Sequence, residues 1–286
     1  MRYRRVTDEA ELLAALSEPS AAILSGGTDL LVKIRGGLVR PGLLVDVVRL
    51  PTLRGIHRTE DAIEIGAAVP ESEILASPVV LDALPLLATA LRALGSVQIR
   101  NRGTLGGNLA NASPAADSAI PLLLYDAELV LVGGSGERTV PLAEFIVGPG
   151  RTTLGSGEFV RTVRVPIPKT AYGAFYHKVG KRRALTIAIA SLGALLRTEG
   201  GRVAEARFAA GSVAPTPTRL RTVEAHLRGA LLADGAIAEA KRLAIEAVSP
   251  ISDVRATAEY RSRVVGDLVA RALRIAVSRS DPHTCS

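Results

Sequence analysis

The chain has 286 residues, of which 48% are hydrophobic and 22% charged, a composition that excludes a disordered tail protein. At roughly 100–200 residues per domain it accommodates two domains. Thirty-five Lys and Arg against 28 Asp and Glu give a net charge of +7, but the basic residues are scattered. The only dense groups are Arg2/Arg4/Arg5 and Lys181-Arg182-Arg183, and no aromatic residues interleave with them, so nucleic acid is not an expected partner.

In chain order, Asp8 followed by Glu11 reads as an N-terminal capping pair ahead of a Leu12/Leu13/Leu16 helical stripe. Residues 21–24 read as a strand that ends in Ser25-Gly26-Gly27-Thr28-Asp29 and is followed by an amphipathic segment over 30–35. Residues 43–47 form another strand, 62–66 alternate, a short helix opens at 71–73, and one long helix is expected over 79–94. The most polar glycine-rich stretch, 103–117, comes next, with Asp117 or Ser118 placed to cap a helix at 120–125 and a strand at 127–132. Pro166-Ile167-Pro168 breaks the pattern, and the domain boundary is placed there. Beyond it, apolar runs at 192–197 and 202–210 flank Glu199-Gly200-Gly201 as a hairpin. Helical patterns then dominate from 218 to 277, which predicts a smaller α+β domain.

The apolar run 185–196 carries Thr186, Ser191 and Gly193 and falls short of the roughly 18 residues of a membrane helix. The N-terminus has no apolar signal core, so a soluble cytoplasmic protein is expected. The single cysteine, Cys285, excludes an intrachain disulfide and an iron–sulfur cluster held by several thiolates of this chain. His57, His177, His226 and His283 lack ligand spacing, so no metal site is expected. No G-x-S-x-G, P-loop or strand-linked G-x-G-x-x-G occurs.

Two glycine-rich loops remain. Paired glycines at Gly26-Gly27 and Gly106-Gly107, with Thr28 and Thr104 beside them, suit an anionic nest because a positive φ carries no Cβ penalty there. A tight turn explains each pair about as well. Asn108, Asn111, Ser113 and Asp117 cluster after the second pair and favour one extended anionic ligand.

The segments Ser-Gly-Gly-Thr-Asp-Leu-Leu (25–31) and Thr-Leu-Gly-Gly-Asn-Leu-Ala-Asn-Ala-Ser-Pro-Ala-Ala-Asp (104–117) resemble the two FAD motifs of the FAD-binding (medium) subunits of molybdenum hydroxylases, the xanthine and carbon monoxide dehydrogenase family. The stretches 98–103, 158–166, 178–182, 211–217 and 252–261 resemble it in the same order. The resemblance implies an α+β chain: a two-part FAD-binding domain of the vanillyl-alcohol-oxidase (PCMH) type over 1–168, with subdomains of about 1–53 and 54–168, then a small α+β domain over 169–286. It implies FAD contacts from Leu24, Ser25, Gly26, Gly27, Thr28, Asp29 and Leu30, and from Thr104, Leu105, Gly106, Gly107 and Asn108. Asp117 is assigned to the polar adenosine–ribityl side, Leu94 to the neighbourhood of the isoalloxazine, Val160 to backbone contacts and Lys178 to the flavin ring. No side chain of this chain is expected to be catalytic. The molybdenum cofactor would sit on a large partner subunit and 2Fe–2S clusters on a small one. Electrons would leave to NAD⁺, a quinone or oxygen, in a hetero-hexamer. The alternative is a self-contained FAD-dependent oxidoreductase of the same domain superfamily.

Overall fold

In the computed structural model, which describes residues 1–182 and 185–280, the chain divides into two units. Arg183, Ala184, His283 and Cys285 lie outside the described residues. The first unit comprises Met1–Leu84, Leu94–Ser113 and Asp126–Ile167, and the second takes Pro85–Ala93, Pro114–Tyr125 and the chain from Pro168 onward.

The first unit opens with strand β1 (Arg2–Arg5) and the helix Glu9–Leu16. Asp8 accepts a hydrogen bond from the Glu11 amide at 2.8 Å, and Glu11 Oε2 reaches back to the Thr7 amide at 2.8 Å, one residue before the expected partner. Strands β2 (Ala21–Leu24) and β3 (Leu43–Asp46) complete a parallel sheet of order β1-β3-β2. Every residue of β3 is buried, as a central parallel strand covered on both faces requires. Val6, Leu12, Ala15, Leu43, Val45, Val47, Leu50 and Leu53 form its core.

The same unit holds β4 (Ile56–Arg58), β5 (Ala62–Gly66), β6 (Glu128–Gly133), β7 (Gly136–Pro141), the short pair β8 (Ile146–Gly148) and β9 (Arg151–Thr152), and β10 (Phe159–Pro166). Five of these form an antiparallel sheet of order β4-β5-β10-β6-β7. The central strand of this sheet, β10, is eight residues long and ends at Pro166, where the sequence pattern breaks. The long helix expected over 79–94 is two helices, Pro78–Ala83 and Pro85–Ala93. Pro85 has no amide to donate and its ring clashes with a preceding turn, so the helix restarts at that residue.

The second unit is built on an antiparallel sheet of order β11-β12-β13-β14, with β11 at Gly173–Val179, β12 at Ala190–Glu199, β13 at Arg202–Gly211 and β14 at Thr218–Arg219. Gly200 (φ 54°) and Gly201 (φ 76°) turn the β12–β13 hairpin. Leu192, Ala194, Leu196, Phe208 and Ala210 pack with the helices Arg221–Leu227, Asp234–Glu246 and Ala258–Ser280. On the opposite face lies the helix Ala119–Leu124: a Cβ at Gly193 would come within 2.7 Å of Ile120 Cγ2. Helices and strands are therefore mixed throughout, an α+β architecture. No helix among the described residues is long and apolar enough to cross a membrane.

Candidate cofactor site

In the first unit, β2 delivers the chain to Ser25 and the helix Leu30–Arg35 carries it away. The turn between them depends on Gly27, whose φ of 76° is the left-handed region that side chains with a Cβ rarely adopt. Among the described residues, the amides of Gly26, Gly27, Thr28 and Asp29 donate to no acceptor. Backbone donors half removed from water without partners are costly. Successive donors on one turn form the concavity that holds an anion. Leu24 and Thr28 are half-buried beside it and Asp29 is exposed.

The second loop is constructed differently. Thr104 caps the helix Leu105–Ala110, its Oγ1 accepting from the Gly107 amide at 3.2 Å. The Leu105 amide donates to Val69 O (3.2 Å), Gly106 to Ala67 O (3.0 Å) and Asn108 to Thr104 O (2.9 Å). The amides of all four residues are thus committed within the protein, and neither Gly106 nor Gly107 has a positive φ. The expectation of a nest at the second glycine pair is corrected; only the first loop keeps unpaired amides around a positive φ among the described residues. Gly106 instead permits close packing, since a Cβ there would lie 2.5 Å from Ala67 Cβ. Leu105 is fully buried, and its amide is already held by Val69 O.

The two loops meet directly. A Cβ on Gly26 would overlap the Arg102 carbonyl, and Ser25 Oγ lies 3.0 Å from Thr104 Oγ1. Lys33, which the sequence reading passed over, donates to Asn111 Oδ1 at 2.6 Å and makes a second tie between the motifs. Leu94 and Val160 are each 7% exposed. Arg100 donates to the Leu94 carbonyl at 2.7 Å, and the β10–β6 register slips between Val160 and Thr162, a bulge of the kind that re-aims the neighbouring backbone.

In the second unit, Asp117 and Lys178 form an ion pair at 2.6 Å, with both side chains only 7% exposed. Ser118 stands at the N-cap position of the helix Ala119–Leu124, as one of the two expected residues, but its side chain makes no cap hydrogen bond there. The carboxylate of Asp117 accepts from Lys178 Nζ through Oδ2 and from Tyr176 OH through Oδ1 at 2.8 Å. Lys178 also donates to Ala93 O at 3.0 Å, which leaves one of its three donors uncommitted among the described residues. Burial pushes the Asp117 carboxyl above its ordinary value against the opposing pull of the Lys178 ammonium and the Tyr176 hydroxyl. Burial, then the Asp117 charge, drives the Tyr176 phenol well above its own, so it remains a donor. Tyr176 was also missed, although it lies two residues before Lys178 on one strand and hence on the same face.

Within the first unit, the Gly26–Asp29 turn fits the phosphate chain of a cofactor, since its amides donate to no acceptor among the described residues. Within the second unit, the Asp117–Lys178 pair offers a buried donor and a carboxylate to a polar group. The resemblance of the sequence to molybdenum-hydroxylase medium subunits is matched by two family models. Residues 1–168 match the FAD binding domain in molybdopterin dehydrogenase, and residues 175–276 match the CO dehydrogenase flavoprotein C-terminal domain. The chain is 34% identical over 276 residues to the carbon monoxide dehydrogenase medium chain of Hydrogenophaga pseudoflava, covering 96% of each. It is 33% identical over 279 residues to a putative xanthine dehydrogenase FAD-binding subunit of Escherichia coli, again covering 96% of each. A solved carbon monoxide dehydrogenase from Hydrogenophaga pseudoflava, lacking the Mo-pyranopterin moiety of its molybdenum cofactor, superposes with a TM-score of 0.93 at 35% identity and 98% coverage of both chains. With both halves matched and nearly full-length relatives above 30% identity, the chain belongs to the FAD-binding medium subunits of molybdenum hydroxylases, the carbon monoxide and xanthine dehydrogenase family of oxidoreductases.

Proposed function

We propose that this chain is the electron-exit subunit of a cytoplasmic hetero-hexameric molybdenum hydroxylase. A large partner holds the molybdenum cofactor, and a small partner carries 2Fe–2S clusters from which this chain takes electrons for NAD⁺, a quinone or oxygen. The observation that carries the reading is the first loop, where four successive amides from Gly26 to Asp29 lack an acceptor among the described residues around Gly27.

Bound FAD supplies the capacity to take up electrons singly and release them in pairs. The chain's own residues bind and orient it. Leu24, Ser25, Gly26, Gly27, Thr28, Asp29 and Leu30 hold the pyrophosphate through backbone donors. Thr104, Leu105, Gly106, Gly107 and Asn108 shape the second side, with the Ser25–Thr104 hydroxyl contact locking the two loops together. Leu94 would lie near the ring, where an apolar wall keeps water away, and Val160 would lend backbone contacts. Asp117 would accept from the cofactor's polar adenosine–ribityl side, and Lys178 would bring its positive charge toward the flavin ring, where a cation tunes the cofactor's electronics. No residue of the chain acts as acid or base on the organic substrate.

Gentle purification of the tagged chain from its host, followed by visible spectroscopy and identification of co-purifying chains, tests the reading. Flavin bands, iron–sulfur absorption and two further chain types are expected. Flavin with no partner chain favours a self-contained oxidoreductase. A colourless chain that takes up no added FAD rules the proposal out.

A further inference from the structure

Asp117 has two carboxylate oxygens, and each is held by a different residue of one strand: Lys178 Nζ takes Oδ2 at 2.6 Å and Tyr176 OH takes Oδ1 at 2.8 Å. The register of β11 on β12 sets Tyr176 opposite Gly193 and Lys178 opposite Ser191, so both side chains rise from the same face of the sheet. The other face of the strand is spent on packing, with Phe175 and Val179 against the helical core. The ammonium is further fixed by Ala93 O at 3.0 Å. The cluster is nearly dry, and interactions among its charges are strengthened accordingly.

We propose that Tyr176 is a positioning residue of the flavin site: its hydroxyl anchors Asp117, and through Asp117 it sets how much of the Lys178 charge is available to FAD. The inference rests on the reading that the chain binds FAD with Lys178 at the ring. A carboxylate at 2.6 Å cancels much of the field of the ammonium beside it. A hydroxyl donating to the other oxygen draws off part of that negative charge and prevents the carboxylate from rotating fully onto the lysine. Removing the hydroxyl therefore concentrates the carboxylate charge on Lys178 and weakens the lysine's pull on a reduced, anionic ring. Protonating Asp117 does the reverse. The groups acting on Asp117 among the described residues are Lys178 and Tyr176, both from β11. No charged side chain of the helices Pro85–Ala93 and Ala119–Leu124 or of β12 acts on it. Because the Tyr176 hydrogen bond lowers the proton affinity of Asp117, losing it moves protonation of the carboxyl to higher pH.

The test is a spectroelectrochemical titration, across pH, of the full chain loaded with FAD. Tyr176→Phe, which keeps the ring, Asp117→Asn and the double variant are compared with the parent, and Lys178→Ala serves as reference. The Tyr176→Phe chain is expected to retain FAD, to show a more negative flavin potential at neutral pH, and to show its low-pH rise in potential beginning at higher pH than in the parent. In the Asp117→Asn background the same substitution is expected to shift nothing further. An unchanged potential and pH profile in Tyr176→Phe overturns the proposal, as does an equal shift with and without Asp117, which marks a packing effect. If Lys178→Ala leaves the potential of bound FAD unaltered, the placement of Lys178 at the ring falls and the proposal with it. If the parent binds no FAD, the functional reading itself has failed.

Discussion

Gly26 tolerates no side chain because the two glycine-rich segments approach each other at its Cα. A Cβ there would overlap the Arg102 carbonyl and come within 2.9 Å of Gly103 Cα. Both are backbone atoms that cannot rotate away, and forcing a methyl into such a contact costs about 1–3 kcal/mol. Gly26→Ala is therefore expected to separate the loops, lowering the melting temperature and weakening FAD retention together, as followed by thermal melts and FAD titration. Thr104→Ala removes the cap on Leu105–Ala110 and the hydroxyl facing Ser25. The lost cap is expected to cost about 1 kcal/mol, read as a lower denaturant midpoint. At this scale the sequence marked both glycine pairs but not their separate structural tasks. Gly27 and Gly106 look alike in the chain, yet one supplies a left-handed turn and the other a flat helical surface against Ala67. Only the neighbours that folding brings to each glycine distinguish the two.

Elements are joined by a few buried polar clamps. Arg261, 3% exposed near the start of the helix Ala258–Ser280, donates to Ile189 O at 2.7 Å, Ser212 O at 3.0 Å and Asp253 Oδ1 at 2.6 Å. It thereby ties that helix to the chain entering β12 and to the chain leaving β13. Replacing it with Met retains the apolar stem and strands those acceptors, and a lost charged hydrogen bond is worth about 1.5–3 kcal/mol. Arg261→Met is expected to lower the thermal midpoint by several degrees without altering the first-loop cradle, so added FAD should still bind. The sequence pointed to this stretch by its family resemblance at 252–261. Periodicity showed the helix but not the clamp, because two of its three acceptors are backbone carbonyls some 50–70 residues distant, and carbonyls leave no trace in residue identity. The hairpin at Gly200-Gly201 was legible because its contacts are local, and the break at Pro85 escaped notice because the apolar pattern runs through it without interruption.

For the whole molecule, acid sensitivity follows from the carboxylates that the fold holds ionised. The Arg138 guanidinium, with help from the Gly155 amide, pulls Glu158 down from an ordinary 4.5 to about 2. The Arg255 amide and the Arg261 guanidinium take Asp253 down from 3.8 to about 2. Between their ordinary values and about 2, the unfolded chain binds these protons and the folded chain does not, so stability falls as pH falls through that window. Asp117 works in the opposite sense, because its folded value is raised and its burial therefore penalises the fold once it is ionised. Thermal midpoints measured from pH 6 downward are expected to hold until about pH 4.5 and decline below it, with Glu158→Gln flattening part of the decline. A midpoint that rises as pH drops toward 3 would contradict this.

Local chemistry was enough for the sequence by itself to determine several things: the α+β class, the turn at Gly26-Gly27, the glycine-rich second loop and, through ordered motifs across the chain, the family. Each of these is written in residues near one another or in a motif read as a string. Tertiary structure alone decided which amides stay unpaired and that Asp117 turns away from its own helix toward β11. It also decided that Pro85–Ala93 and Pro114–Tyr125 pack within the second unit. Those outcomes depend on hydrogen bonds and packing between residues far apart in the chain, where competing partners are of similar strength and only the assembled fold selects among them.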